Sequence, residues 1–267
     1  MLIDTHCHLD AAEFAADRDA LLHAARAAGV GAIVVPSVGP GNWQAVHDCC
    51  RRLPGLYPAY GIHPLYVDGL DTSAVNALRD WIAAELKATN PPVAVGEIGL
   101  DFFLPGYDAR RQESIFIDQL KIARDLDLPV LLHVRRSVDG VLKCLRRIRV
   151  RGGIAHAFNG SRQQADEFIR LGFKLGFGGT MTYSRASRIR ELATSLPLES
   201  IVLETDAPDI PPSWLASGRN TPVELARIAG VLSGLRGMSG GEVAAATSRN
   251  ACAVLRLRCV AQRSSSI

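Results

Sequence analysis

The chain lacks the features that mark membrane, secreted and disordered proteins. No apolar run reaches the roughly 20 residues that a helix needs to cross a bilayer. The start has no basic region followed by an apolar stretch and a small-residue cleavage site, so we predict no signal peptide. No linker or low-complexity stretch precedes the terminal QRSSSI. We therefore expect a cytoplasmic protein with neither a membrane nor an obligate protein partner.

Cysteine pairs are also missing, since the six cysteines show no CxxC spacing and no compact secreted framework. We expect free thiols, and we expect Cys7 to pack in the interior because strand alternation turns it away from the histidines on either side. The formal net charge of +3 tolerates a polyanionic partner without requiring one. Composition alone therefore leaves the substrate open.

Short β-like runs alternate with amphipathic helical patterns along the whole chain, which favours one domain over two. The predicted strands lie near 2–8, 31–36, 56–61, 93–98, 129–134, 153–156, 173–178 and 200–206. Eight such units predict an α/β fold of a single (β/α)8 TIM barrel over residues 1–257, followed by a polar tail at 258–267. In this fold the active site lies at the carboxyl ends of the strands.

The opening motif DTHCHLD indicates a metal centre. It places His6 and His8 two positions apart in the first predicted strand, so both imidazoles share one face and can reach one ion. Further side chains that bind metals lie at or near the ends of four other predicted strands: Glu97, His133, His156 and Asp206. Because the ends of parallel strands meet at one rim, we expect all six to converge.

Four imidazoles and two carboxylates exceed what one tetrahedral ion with an open position uses, so we predict two divalent ions. Glu97 is the expected bridge between cations about 3.5–4 Å apart. His6 and His8 would hold one ion, and His133 and His156 the other. Asp206 is expected beside the activated water as ligand and proton acceptor, which makes Asp206 and Glu97 the predicted catalytic residues. The ligand types accept Zn, Mn, Fe or Ni, and Mg weakly.

Three further residues near these ligands have two readings each. His63 after the third strand either faces the substrate, where it can donate a hydrogen bond to a phosphate, or orders its loop. Asp10 either orients His8 or caps a helix. Glu204 shares a strand face with Asp206 and either supports the metal ligands or forms an interior ion pair.

Arginines near the same rim are candidates for phosphate contacts, because guanidinium groups match phosphate oxygens in a bidentate fork. Arg135 and Arg136 directly follow the fifth strand, and Arg219 lies in the long loop after the eighth. Such contacts give affinity without sequence preference. The denser basic run at 145–152 precedes a strand, at the opposite rim, where a solvated cluster is expected.

Taken together, the motifs DTHCHLD, GIHP, VGEIGLD, LLH, AHAFNGS, GFGGT and LETDAP resemble the TatD-type metal-dependent hydrolases, within the amidohydrolase-like barrels. The resemblance covers roughly residues 2–257. It implies a TIM barrel, divalent metals and hydrolysis of phosphodiester bonds in DNA, often from the 3′ end. It assigns the same six residues to the metal site: His6, His8, Glu97, His133, His156 and Asp206. Some relatives act on other esters, including D-aminoacyl-tRNA.

From the residues and the resemblance together we expect a metal-dependent deoxyribonuclease of the 3′–5′ exonuclease type, acting on DNA without sequence preference. Two alternatives remain. The same site could hydrolyse a small ester, a lactone or D-aminoacyl-tRNA. In a different class, the barrel could bind metal or nucleic acid without catalysis.

Overall fold

The computed structural model describes residues 1–215 and 217–257, which form one sheet of eight parallel strands in chain order. The strands are β1 (Leu2–Asp4), β2 (Val30–Pro36), β3 (Leu56–Tyr60), β4 (Ala94–Asp101), β5 (Val130–Arg135), β6 (Gly153–Ala155), β7 (Phe173–Phe177) and β8 (Ile201–Leu203). The helices are α1 (Arg18–Ala27), α2 (Trp43–Arg52), α3 (Thr72–Glu85), α4 (Ala109–Asp125), α5 (Val138–Arg147), α6 (Arg162–Arg170), α7 (Ser187–Ser195), α8 (Leu225–Arg236) and α9 (Gly240–Leu255). The predicted TIM barrel is confirmed. The predicted tail at 258–267 lies outside the described residues.

The first and last strands meet, so the sheet curves into a barrel. The backbone N–H of Thr5, directly after β1, donates to the carbonyl of Leu203 in β8 over 3.1 Å. Just beyond, the N–H of Asp206 donates to the carbonyl of His6 over 2.8 Å. These two bonds bring the segments after β1 and β8 side by side, and both segments carry predicted site residues.

Alternation along the strands separates two apolar layers. Leu131, Ile154 and Val202, each the second residue of its strand, belong to one buried cluster inside the barrel. Their neighbours on the opposite face pack in the larger cluster beneath the surrounding helices. Residues of α9, including Leu255, join the interior cluster. The interior is therefore filled near the start of the strands, and the positions two residues further along each strand point into the opposite mouth.

One boundary differs from the prediction in a way that bears on the site. β1 ends at Asp4, so His6 and His8 follow the strand instead of lying in it. Asp4 ends β1 because its buried carboxylate accepts hydrogen bonds from the N–H groups of His6 (3.3 Å) and Thr205 (3.0 Å), which replace the regular ladder. The two histidines are placed by this turn.

The expectation of free thiols holds at four of the described cysteines and fails at one. Cys7, Cys49, Cys50 and Cys144 are free and buried, and Cys7 packs in the core as expected. Cys252 is disulfide-bonded, so the expectation of a free thiol was wrong there. The spacing rule missed it because it recognises only short, regular cysteine pairs. Among the helices of the described residues, none has the length and apolar character that spanning a membrane requires.

Candidate metal centre

Strand alternation aims the predicted ligands at one mouth of the barrel. His133 lies two residues after Leu131, and His156 lies two residues after Ile154, so each continues the interior face of its strand. The interior apolar layer thus forms the floor, and the polar side chains form the next layer up. This is the carboxyl end of the barrel, where TIM-barrel active sites lie.

Glu97 is the centre of the cluster, and it is buried. Its Oε2 lies 3.2 Å from His6 Nε2 and 3.6 Å from His8 Nε2. Its Oε1 lies 2.8 Å from His133 Nδ1 and 3.1 Å from His156 Nε2. The two carboxylate oxygens therefore face different pairs of imidazoles, which is the arrangement expected of a residue that bridges two cations.

Three sets of ligand atoms lie close enough to hold a cation: His6, His8 and Glu97; His6, His156 and Asp206; His63, Glu97 and His133. The structure thus brings all six predicted ligands together. His133 and His156 both lie at Glu97 Oε1, and each also lies near a further polar side chain, His63 in one case and Asp206 in the other.

His63 both faces the cluster and orders its loop, so the two readings of this residue are compatible. Its Nδ1 accepts a hydrogen bond from the N–H of Leu65 over 3.1 Å, so in the neutral ring the proton is on Nε2. That Nε2 lies 3.0 Å from His133 Nδ1 and 3.5 Å from Glu97 Oε1. Because a protonated Nε2 offers no lone pair, His63 in this tautomer faces the cluster as a hydrogen-bond donor and not as a metal ligand.

Asp206 is held at the cluster by an unusual backbone. Its φ of +57° is a left-handed conformation that residues other than glycine seldom adopt. The carboxylate Oδ1 lies 3.5 Å from His6 Nε2 and 3.9 Å from His8 Nε2. Burial raises the pKa of Asp206 to about 6, although the neighbouring His156 and His8 act in the opposite direction. Such a carboxyl group can exchange a proton near neutral pH.

Asp101 was missed by the sequence analysis, although it ends the motif VGEIGLD. Its buried carboxylate lies with Oδ2 2.9 Å from His133 Nε2, and its Oδ1 accepts from the N–H of Phe103 over 2.8 Å. Because Nε2 faces Asp101, His133 turns Nδ1 towards Glu97. A carboxylate behind a histidine fixes the ring and its tautomer in this way. The sequence feature that could have identified Asp101 is its spacing four residues after Glu97 in one strand, which places both on the same face.

The charges and orphaned atoms of the cluster fit divalent cations. Burial opposes ionisation of Glu97, but His63, His156 and His6 outweigh it and hold the pKa of Glu97 well below its usual range. Burial, together with His156, lowers the pKa of His6 to about 3, so its neutral ring can donate a lone pair. The buried Nδ1 atoms of His6 and His156 and Oε2 of Glu204 have no hydrogen-bond partner among the described residues. A buried carboxylate surrounded by imidazoles fits a divalent cation, which would supply positive charge to the carboxylate and accept lone pairs from the ring nitrogens.

The two predicted supporting carboxylates have different surroundings. Asp10 accepts a hydrogen bond from Asn42 Nδ2 over 3.0 Å, and no hydrogen bond joins it to His8 within the described part of the chain. Glu204 is buried, accepts from the N–H of Ala157 and has Oε1 3.7 Å from His156 Nδ1. Glu204 therefore backs the metal cluster directly, whereas Asp10 acts on it through its charge alone.

The three arginines predicted to contact phosphate also have different surroundings. Arg135 and Arg136 are exposed, and their guanidinium carbons lie 3.6 and 4.6 Å from the ring centroid of Phe103. Neither has an ion-pair partner among residues 1–215 and 217–257. Arg219 instead pairs with Asp17 over 2.6 Å. Its guanidinium is thus already engaged, whereas the guanidinium groups of Arg135 and Arg136 are not paired with a carboxylate of the described residues.

Comparison with known proteins agrees with this geometry. The family profile described as "TatD related DNase" matches residues 3–256. The chain belongs to the TatD family. It is 42% identical to the metal-dependent hydrolase YjjV of Escherichia coli K12 over 93% of this chain and 95% of YjjV. It is 31% identical to the metal-dependent hydrolase YabD of Bacillus subtilis over 96% of this chain and 100% of YabD. Both of these TatD-like relatives are described as uncharacterized.

Solved structures confirm the fold of this TatD-family chain. The crystal structure of YjjV, a TatD homolog from Escherichia coli, superposes with a TM-score of 0.91 at 40% identity, covering 96% of this chain and 98% of the other. The family, the relatives and the cluster together establish a metal-dependent hydrolase. The His, Glu and Asp groups of the barrel mouth are able to bind the metal.

Proposed function

We propose that this protein is a deoxyribonuclease that uses divalent metal ions to hydrolyse phosphodiester bonds, releasing nucleotides from the 3′ end of DNA. The observation that carries the proposal is the position of two unpaired arginines beside the cluster. Arg135 ends β5, the strand that carries His133, and Arg136 follows it. A phosphate backbone that reaches the cluster from this side meets two guanidinium groups. The description of the matching family as a DNase supports the same substrate.

Six residues would hold the ions: His6, His8, Glu97, His133, His156 and Asp206. Bound divalent cations would supply activation of a water molecule and stabilisation of charge on phosphate oxygens. Two ions are favoured over one because the two oxygens of Glu97 face different imidazoles. The number and the identity of the ions are part of the proposal.

The protein's own groups manage the proton and the phosphate. Asp206 would accept the proton of the attacking water, since its carboxylate lies at the cluster beside His6 and His8. His63 would donate a hydrogen bond from Nε2 to a phosphate oxygen. Arg135 and Arg136 would bind flanking phosphates, which provides affinity without reading the base sequence.

The direct test is product analysis with an end-labelled oligonucleotide. Apo-protein is incubated with Mg, Mn, Zn, Fe or Ni in turn, and products are separated by length. We expect a ladder shortened from the 3′ end that chelator abolishes. Glu97→Ala should lose turnover and bound metal, whereas Glu113→Ala, at a surface carboxylate paired with Lys143, should retain both.

The alternatives give different results in the same preparation. Turnover of small esters, lactones or D-aminoacyl-tRNA without cleavage of the oligonucleotide would replace the nuclease by an esterase or deacylase. Metal-loaded protein that binds DNA and leaves it uncut would indicate a binding barrel. Full nuclease activity of Glu97→Ala would refute the bridging role.

A further inference from the structure

The exposed large apolar side chains of this protein are concentrated at the mouth that carries the metal cluster. Apart from Met1, those of the described residues all lie in two loops, after β3 and after β4. They are Leu65, Tyr66, Phe103, Leu104 and Tyr107. Tyr66 is 56% exposed, and the other four are 39–43% exposed. An exposed apolar patch of this kind is typical of a binding surface.

Both loops are tied to the same side of the cluster. The ring of Tyr66 lies 6.0 Å from the ring of His63, in an edge-on arrangement. Phe103 begins the other loop by donating its N–H to Asp101, the residue that holds His133. The rings of His63 and His133 are themselves 4.2 Å apart. The aromatic side chains therefore flank the cluster at its His63 and His133 side.

Positive charge is interleaved with these rings. Phe103 lies beneath the guanidinium groups of Arg135 and Arg136, at 3.6 and 4.6 Å. Tyr107 stacks on Phe102 with centroids 4.9 Å apart and planes 17° from parallel, which fixes the plane of its ring. Aromatic rings next to cations that have no ion-pair partner match a strand in which flat bases alternate with anionic phosphates. An apolar protein partner would have no use for the two cations.

We propose that Tyr66, with Phe103 and Tyr107, forms a stacking surface for unpaired nucleobases next to the bond that is cut. The inference rests on the proposed function and extends it by naming the residues that select the substrate. A base can lie on an aromatic ring only when it is neither paired nor stacked within a duplex. The surface therefore selects strands with unpaired ends and tolerates any base, because every base has a flat face.

Binding to oligonucleotides without cleavage tests the stacking surface separately from catalysis. The probes are a fluorescent single-stranded DNA of mixed sequence and an abasic strand of equal length, which keeps the phosphates and lacks the bases. Fluorescence anisotropy is recorded with chelator present, for wild type, Tyr66→Ala, Phe103→Ala and the conservative Tyr66→Phe. Thermal melting of each variant checks that it is folded.

We expect Tyr66→Ala and Phe103→Ala to weaken binding of the base-bearing strand by about tenfold or more, in the range of one lost stacked base. Tyr66→Phe should bind as wild type does, and Tyr66→Ala, which leaves the arginines untouched, should change binding of the abasic strand less than twofold. Equal binding of the base-bearing strand by wild type and both alanine variants would overturn the inference, as would an equal loss of binding to the two strands in Tyr66→Ala.

The outcomes also separate this inference from the proposed nuclease. If metal-loaded wild type cuts DNA while Tyr66→Ala and Phe103→Ala bind normally, the nuclease stands and the stacking surface fails. If wild type shows the predicted dependence on bases and never cuts, the stacking surface stands and the nuclease fails. If another protein binds at Tyr66 and Phe103 and neither oligonucleotide displaces it, these residues form a protein interface and the inference is wrong.

Discussion

Replacing Asp101 by asparagine removes the charge that holds His133 and little else. The carboxylate is buried, with one oxygen 2.9 Å from His133 Nε2 and the other accepting from the N–H of Phe103. Asparagine has nearly the same shape and keeps one carbonyl oxygen. Burial acts to lower the pKa of His133, but its hydrogen bonds to Asp101 and Glu97 outweigh this and raise that pKa. The variant should therefore leave a less basic and less firmly oriented imidazole.

The size of the effect follows from the bond that is lost. A hydrogen bond to a charged group contributes about 1.5–3 kcal/mol. At about 1.4 kcal/mol per tenfold change, that corresponds to a 10- to 150-fold weaker affinity for a cation held by His133 and Glu97. Losses of about 10- to 100-fold are typical when a residue behind a metal-binding histidine is changed. The two estimates agree, so we expect a loss between one and two orders of magnitude.

Calorimetric titration of apo-protein with Mn or Zn measures this directly. Wild type, Asp101→Asn and Asp125→Asn are compared, Asp125 being an exposed carboxylate that pairs with Arg79 and Arg124. Nitrogen chemical shifts of the imidazoles in apo-protein report the tautomer of His133 without any metal. Unchanged affinity and an unchanged tautomer in Asp101→Asn would refute the positioning role. A variant that fails to melt cooperatively would be replaced by Asp101→Glu, for which the tautomer should be retained.

Other predictions follow from the same structure. Chelation should lower the melting temperature and adding metal back should restore it, because a ligand at 1,000 times its dissociation constant stabilises the fold by about 4 kcal/mol. Glu97→Gln should reduce the stoichiometry of bound metal measured by mass spectrometry, and full occupancy would contradict the bridge. Cys49, whose pKa burial raises to about 11, should resist iodoacetamide at pH 8, with alkylation accelerating as the pH rises towards 11. Leu131→Ala should lower the free energy of unfolding, measured in urea, by about 2–5 kcal/mol, since this buried side chain forms the floor beneath His133.

The order of the elements could be predicted from the sequence because each buried parallel strand is a short apolar run between longer amphipathic segments. The ends of the strands were harder to predict. β4 was expected at 93–98 but extends to Asp101, because Leu100 and Asp101 pair with Val134 and Arg135 of β5. The sequence of β4 alone contains no information on that partner. Strand length was therefore underestimated where pairing decides it.

The ligand types could be predicted because histidines and carboxylates at strand ends share one rim. The contacts between side chains of neighbouring strands could not be predicted. Asp101 lies behind His133, and His63 lies beside it, only because β3, β4 and β5 are neighbours at this register. The same limit applies to the ions, since His133 and His156 both face Glu97 Oε1 while His156 also lies near Asp206. Which ion each histidine binds stays a prediction.

The close approach of β7 and β8 depends on Gly176, whose importance the sequence does not indicate. A Cβ on Gly176 would lie 2.2 Å from Glu204 Oε2, closer than side-chain atoms approach one another. Glycine at this position leaves the space in which the Glu204 carboxylate reaches towards His156. Its role becomes visible only once β7 and β8 are placed side by side.

Six side chains, placed by five strands and the turns that follow them, are expected to hold divalent cations at one mouth of the barrel. The most direct measurement is anomalous X-ray diffraction from crystals of the protein loaded with Mn or Zn. We expect strong anomalous peaks among His6, His8, Glu97, His133, His156 and Asp206, with Glu97 contacting each ion if two are present. Peaks elsewhere on the protein, with none inside this cluster at saturating metal, would contradict it.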